Sequence, residues 1–306
     1  MKRVIVLAGG LSSERDVSLD SGRNVLKALL EKGYDAMMID VQRPVSGLAA
    51  TLEQMKPDVV FNALHGKYGE DGCIQGLLNL MQIPYTHSGV LASALSMNKQ
   101  QAKTVAAMKG VDVPAGKLVS FQDIKAGQTF PKPYVIKPND EGSSVGVHII
   151  RTDADEKAFL SDLSERVIDK LFLMEEYIDG RELSVVVTDS GAAGIVEIIP
   201  DTGFYDYIHK YTLGASTHII PADIPAKWTQ RLMNDAQIVH QAFGCRGVSR
   251  SDFRLDEKAD RGVFLELNAN PGMTALSLVP EVLAEMCGQT YGDFVEELVK
   301  QAAYES

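Results

Sequence analysis

The stretches Val248-Ser249-Arg250-Ser251-Asp252-Phe253-Arg254-Leu255 and Val263-Phe264-Leu265-Glu266-Leu267-Asn268 read as two alternating β-strands, with residues 256–262 left to turn the chain between them. Side chains two apart share a face of a strand. Arg250 therefore points the same way as Asp252, and Glu266 the same way as Asn268, while Val263, Leu265 and Leu267 make an apolar face suited to a core. Such a hairpin gathers a guanidinium, two carboxylates and an amide. Their oxygens are hard ligands of the kind Mg2+ takes when phosphates complete its shell. The same alternation also suits the solvated face of an amphipathic hairpin, and period two by itself does not separate the two readings.

Upstream, residues 4–8 form a short apolar run closed by Gly9-Gly10, as in a strand buried on both faces. Val25, Leu26, Leu29 and Leu30 then recur at helical spacing with Gly33 just past the end, and runs 36–39 and 59–64 read as further strands. Strand, helix, strand, helix, strand predicts a parallel sheet with right-handed crossovers, so the fold class is α/β. This first unit covers residues 1–97. A second, 98–183, carries strands at 134–137, 145–150 and 173–177 around a Gly/Ser loop. The third, 184–306, follows a strand at 183–187 that Asp179-Gly180 splits from the one before. It holds a helix on Trp228, Leu232, Ala236, Val239 and Phe243, the opening hairpin, and a last helix on Tyr291, Phe294, Leu298 and Ala302.

Composition narrows the function. The 306 residues are 45% hydrophobic and 23% charged, ordinary for a globular chain, and the formal net charge of −11 argues against a nucleic-acid partner. Cys73, Cys245 and Cys287 form neither a disulfide framework nor a zinc pair, which suits reduced thiols in the cytoplasm. No apolar run approaches the roughly 18 residues of a membrane span, and the opening run is too short for a signal peptide.

Four more segments carry candidate chemistry. Lys137-Pro138-Asn139-Asp140-Glu141-Gly142-Ser143-Ser144-Val145-Gly146 puts a lysine at a strand end before a loop whose N–H groups and hydroxyls can cradle phosphate, or simply turn a hairpin. No GxxxxGK[ST] and no GxGxxG after the first strand occurs, which sets aside a P-loop and a nicotinamide dehydrogenase. Glu14, in Gly9-Gly10-Leu11-Ser12-Ser13-Glu14-Arg15-Asp16-Val17-Ser18, lies where ligands of open α/β sheets bind and can take an ammonium, although Asp16 or Ser18 there can equally cap a helix. His65 follows the third strand. Tyr205-Asp206-Tyr207-Ile208-His209-Lys210-Tyr211 fits no period and reads as a lid or a surface loop.

Five motifs in order, from Gly9-Gly10…Ser13-Glu14-Arg15…Ser18 through Leu64-His65-Gly66…Gly69-Glu70-Asp71-Gly72, Glu141-Gly142-Ser143-Ser144-Val145-Gly146 and Phe204-Tyr205-Asp206-Tyr207…Lys210-Tyr211 to Glu266-Leu267-Asn268…Pro271-Gly272-Met273-Thr274…Ser277-Leu278-Val279-Pro280, make the chain similar to the D-alanine–D-alanine ligase family of the ATP-grasp superfamily. The resemblance implies a three-domain ATP-grasp fold, with an N-terminal parallel-sheet domain and the nucleotide between the central and C-terminal domains. It implies ATP-dependent joining of two D-alanines through a D-alanyl phosphate, for peptidoglycan precursors. It assigns two Mg2+ (or Mn2+) ions to Asp252, Glu266 and Asn268, and ATP to Lys99, Lys137, Ser143, Ser144, Lys210, the Glu175-Glu176-Tyr177-Ile178 stretch and Glu182. The D-alanines fall to Glu14, His65, Arg250, Gly272, Ser277 and Leu278, with Glu14, Ser143, Arg250, Tyr211 and Ser277 in catalytic positions and Lys210 and Tyr211 closing the lid. Relatives that make a D-alanyl-D-lactate ester have His after the lid lysine; Tyr211 here implies D-alanine as second substrate. A homodimer is also implied. Asp140 departs from the usual pattern, which often has a basic or neutral residue there; with Glu141 it puts acid beside the loop, so both side chains are expected to point away from the phosphates.

Overall fold

The computed structural model describes residues 2–43, 45–163, 168–201 and 214–305. The expected lid, with Lys210 and Tyr211, lies outside them. Among the described residues the strands form three sheets. The first has parallel order β2–β1–β3, from β1 (Arg3–Gly9), β2 (Asp35–Val41) and β3 (Val59–Asn62). Val4 to Ala8 are wholly buried because helices cover both faces. On one side Val4 and Val6 meet α1 (Arg15–Glu31) through Val25 and Leu29. On the other, Ile5 and Leu7 meet α2 (Val45–Met55) and α3 (Cys73–Leu80). Leu30, expected in the core, is 53% exposed, because the apolar stripe of α1 runs through Val25, Ala28 and Leu29 instead.

After α4 (Val90–Met97) and α5 (Lys99–Met108), the second sheet is antiparallel, order β4–β7–β5–β6: β4 (Gly116–Ser120), β5 (Tyr134–Pro138), β6 (His148–Ile150) and β7 (Leu171–Glu176). Two capping boxes, Ser120/Asp123 and Thr152/Asp155, start its covering helices α6 (Phe121–Lys125) and α7 (Asp153–Asp162). The strand expected from residue 145 begins only at His148. Ser143, Ser144 and Gly146 all take left-handed backbone angles, which fold the preceding residues into a loop.

The third sheet is antiparallel, order β10–β9–β8–β11–β12: β8 (Arg181–Thr188), β9 (Gly191–Pro200), β10 (Ser216–Ile219), β11 (Val248–Asp256) and β12 (Arg261–Asn268). The boundary expected after residue 183 falls inside β8. One face packs on α8 (Ala226–Phe243), α4 and α5, and the other on α9 (Leu278–Cys287). The last helix, α10 (Tyr291–Gln301), returns to pack on α1.

Candidate active site

The opening hairpin is β11 and β12, and its register sets Asp252 opposite Glu266 and Arg250 opposite Asn268. A bulge between Asp252 and Phe253 shifts the pairing, leaving Leu265 as the extra residue. Leu265 therefore lines the cleft between the second and third sheets, not the core expected of it. Arg250 grips Asp252 with two bonds, Nε to Oδ1 at 2.8 Å and Nη2 to Oδ2 at 2.9 Å. Ser184 Oγ donates to Asp252 Oδ1 at 2.6 Å, and Asn268 Nδ2 to Oδ2 at 3.2 Å. The three proposed metal-holding side chains thus share one spot. Among the described residues no third acidic, His or Cys side chain joins them, so the donor set is two carboxylates and an amide.

The cleft itself is lined by Lys99, Lys137, Ser144, Glu175 to Ile178, Glu182, Arg250, Asp252 and Glu266, among others. Lysines and hard oxygen donors face one another across it. Lys99 lies 3.3 Å from Glu266 and donates to the carbonyl of Glu141 at 2.6 Å. Lys137 Nζ and Lys103 Nζ each meet a different oxygen of Glu175 at 2.5 Å. Glu175 is 2% exposed, so its side chain is committed to the lysines. Burial opposes its charge, but the two lysines outweigh burial and lower its pKa. Burial likewise drives Lys103 down to about 8, while at Lys137 the carboxylates Glu175 and Glu266 overcome burial and raise the pKa. Arg254 Nη2 holds Glu182 at 2.6 Å. Lys170 takes Glu141 at 2.5 Å and Asp140 at 3.5 Å, which offsets one of the two charges beside the loop, and Glu141 lines the cleft instead of pointing away from it.

A second group forms at the carboxyl ends of β1 and β3. Glu14, 6% exposed, accepts a short hydrogen bond from Ser143 Oγ, joining the first unit to the glycine-serine loop. It does not cap α1 through its side chain. A Cβ at Gly66 would stand 2.6 Å from Glu14 Oε2, and φ there is +67°, so only glycine lets the chain pass this carboxylate. His65 Nδ1 meets Glu70 at 3.1 Å. Burial works against a charged His65, yet Glu70 and then Glu14 outweigh it and raise its pKa. His65 Nε2 meets Ser21 Oγ at 3.0 Å, and Ser21 Oγ accepts from Met273 N at 3.4 Å. That chain ties His65 to the third group, in which Ser277 Oγ accepts from Thr274 N at 2.9 Å and would crowd any side chain at Gly272. Leu278 is 4% exposed and belongs to the core, so only its backbone, at the start of α9, is placed to meet a ligand.

Sequence reading did not find Lys103, Ser21, Arg254 or Lys170. Lys103, Ser21 and Lys170 act on ligand-facing residues without lining the cleft, whereas Arg254 lines it beside Glu182, and none carries a motif of its own. Two signals were available: helical spacing puts Lys103 on the face of α5 that bears Lys99, and strand alternation puts Arg254 on the face of β11 that bears Arg250 and Asp252.

Comparison with known proteins bears on the whole chain. Residues 105–300 match a family model described as D-ala D-ala ligase C-terminus, and residues 44–88 one described as D-ala D-ala ligase N-terminus. A D-alanine–D-alanine ligase of Agrobacterium fabrum (strain C58 / ATCC 33970) is 47% identical over 306 residues, covering 99% of this chain and 98% of that one. The crystal structure of a D-alanine–D-alanine ligase from Bacillus anthracis is similar with a TM-score of 0.83 at 28% identity, covering 98% of this chain and 97% of that one. A structure of the Bacillus anthracis ligase complexed with ATP gives a TM-score of 0.80 at 25% identity over the same shares.

Proposed function

We infer the reaction from one premise: the chain belongs to the D-alanine–D-alanine ligase family. It is an ATP-dependent ligase that joins two D-alanines to D-alanyl-D-alanine through a D-alanyl phosphate, with release of ADP and phosphate, in peptidoglycan precursor synthesis. The observation that carries the reading is the cleft in which Lys99 and Lys137 face Asp252 and Glu266. Cations for phosphate and hard oxygens for a divalent ion meet there in one cavity.

A carboxylate is a poor electrophile, so the first D-alanine must be activated. Its carboxylate attacks the γ-phosphorus and ADP leaves; the second D-alanine's ammonium loses a proton, its amine attacks the acyl carbon, and phosphate leaves. Phosphoryl transfer rests on positioning and charge neutralisation. In our reading Lys99 and Lys137 hold the phosphates, Ser143 and Ser144 present the loop to them, Glu176 to Ile178 receive adenine, and Glu182, held by Arg254, receives the ribose. Asp252, Glu266 and Asn268, two carboxylates and an amide, would hold two Mg2+ ions, which when bound would supply neutralisation of phosphate charge. Glu14 receives the first ammonium, with His65 beside it and Ser143 orienting the carboxylate. Arg250 and the backbone near Gly272 stabilise the tetrahedral oxyanion, where one donor contributes about 3–4 kcal/mol of barrier lowering. Ser277 Oγ and the Leu278 N–H take the second carboxylate at a helix N-terminus. Lys210 and Tyr211 close over the site.

We further place the first unit at 1–97, the second from 98 up to β8 and the third from β8 to 306, the enzyme in the cytoplasm, and the chain as a homodimer. Leu80 and Leu91, 87% and 66% exposed on the adjacent helices α3 and α4, support a partner surface. The test of the reaction is phosphate release from ATP and Mg2+, with D-alanine and with L-alanine. Release that depends on D-alanine is expected, falling at least about a hundredfold in Asp252→Asn. Equal rates with both enantiomers, or a fully active Asp252→Asn protein, would overturn it.

A further inference from the structure

Behind the nucleotide cleft one buried carboxylate is shared by two buried lysines. Lys99 and Lys103 stand four apart on α5, hence on one face, and both are buried, 7% and 4% exposed. Lys99 reaches the cleft, as do Lys137 and Glu175, while Lys103 does not line it. Instead Lys103 meets Glu175 Oε2 from the far side at 2.5 Å, and Lys137 meets Oε1 from the cleft side at the same distance. The β5–β7 ladder fixes this geometry, because it pairs Val135 with Glu175 and Lys137 with Leu173 in antiparallel register.

One carboxylate needs one cation. A buried carboxylate stripped of its only partner is strongly destabilised, so a lone Lys137 could not leave Glu175 for a ligand without that penalty. The second lysine removes it. We propose that Lys103 is a positioning residue for ATP binding: as the standing counter-ion of Glu175, it leaves Lys137 able to turn to the triphosphate. The pair of lysines on one carboxylate also leaves one positive charge over, and the cleft is where that charge can meet an anion. The proposal rests on the reading that ATP occupies this cleft.

The experiment is a double-mutant cycle on the full chain, reading the Kd for MgATP by calorimetry and KM against kcat for each substrate. Lys103→Met should weaken MgATP by about tenfold or more and leave the KM for D-alanine within about twofold. Lys103→Arg, which keeps the charge, should restore most of the affinity. In a Glu175→Gln background the neutral amide needs no counter-ion, so adding Lys103→Met should change MgATP affinity by less than about twofold. Equal losses in both backgrounds, or no loss in the first, would overturn the proposal. Should Lys103→Met fail to fold, the double variant decides: binding MgATP like Glu175→Gln supports the role, and losing it while Glu175→Gln binds refutes it. A wild-type chain that binds no MgATP would overturn the functional reading and this proposal with it.

Discussion

His87 sits in a left-handed backbone conformation, φ +68°, with its ring 2% exposed and edge-on to Phe61 at a centroid distance of 5.4 Å. Nδ1 meets Thr86 Oγ1 at 3.0 Å, and Nε2 has no protein partner among the described residues. Burial, then the nearby His65 and Arg246, push its pKa down to about 3. Between an unfolded value near 6.5 and that folded value, the unfolded chain binds a proton that the native chain does not. Native stability therefore falls as pH drops through this window, by about 1.4 kcal/mol per unit from this group. Asparagine accepts the same backbone angles. His87→Asn should therefore flatten the acid slope of stability between pH 6.5 and 5 by about 2 kcal/mol, measured as urea unfolding free energy at several pH values. Parallel slopes for the two proteins would refute the assignment. No sequence pattern exposes this residue, since a buried neutral histidine and a solvated one are written alike. The residues at Asp252, Glu266 and Asn268 were legible because strand alternation fixes which side chains share a face. Leu265 was not, because a bulge breaks that alternation without a sequence mark of its own.

Helix α1 crosses the first sheet at Gly22, where a Cβ would lie 2.5 Å from Ala8 Cβ and 2.9 Å from Met38 Sδ. Two effects oppose each other in Gly22→Ala. Alanine favours the helix by about 0.8–1 kcal/mol, whereas overpacking typically costs about 1–3 kcal/mol. Met38 can swing its flexible end aside, but Ala8 lies on the central strand of a sheet covered on both faces, so the steric cost wins. Gly22→Ala should lower the urea midpoint without changing the m-value, and Gly22→Val should lower it further. A stabilised Gly22→Ala protein would show that the helix shifts freely. The first sheet and helix α1 were readable from the period of the apolar residues, to within a residue or two at β1 and β2. The loop between β5 and β6 was read as a loop, but its end was not, because Ser143 and Ser144 adopt left-handed angles that neither residue type announces and β6 starts three residues late.

The three sheets are not equally joined. The first and third share one core, in which Val4 and Phe61 lie with Val186, Val196, Val248, Val282 and Phe294. The second has its own, built on Val119, Ile136, Phe172 and Met174. It meets the rest through polar contacts: Lys103 with Glu175, Arg261 with Glu176, the start of α5 with Asn139, and Ser143 with Glu14. Chain order hides this arrangement. Helices α4 and α5 precede the second sheet yet pack on the third, and α10 returns to the first. A polar interface opens more readily than a shared apolar core, so the second sheet is expected to be the body that opens first. In the proposed reading MgATP sits between the second and third sheets, and there it would bind only the closed form. At about 100 times its Kd it stabilises that form by about 2.7 kcal/mol, which slows exchange through the opening about a hundredfold. Amide hydrogen exchange should therefore slow by that factor in β5 and β7, whose amides are exposed by the opening, and change far less in β1 and β3, whose core the opening leaves intact. Uniform slowing in all three sheets would mean that the chain opens as one body and that the second sheet has no separate motion for the nucleotide to arrest.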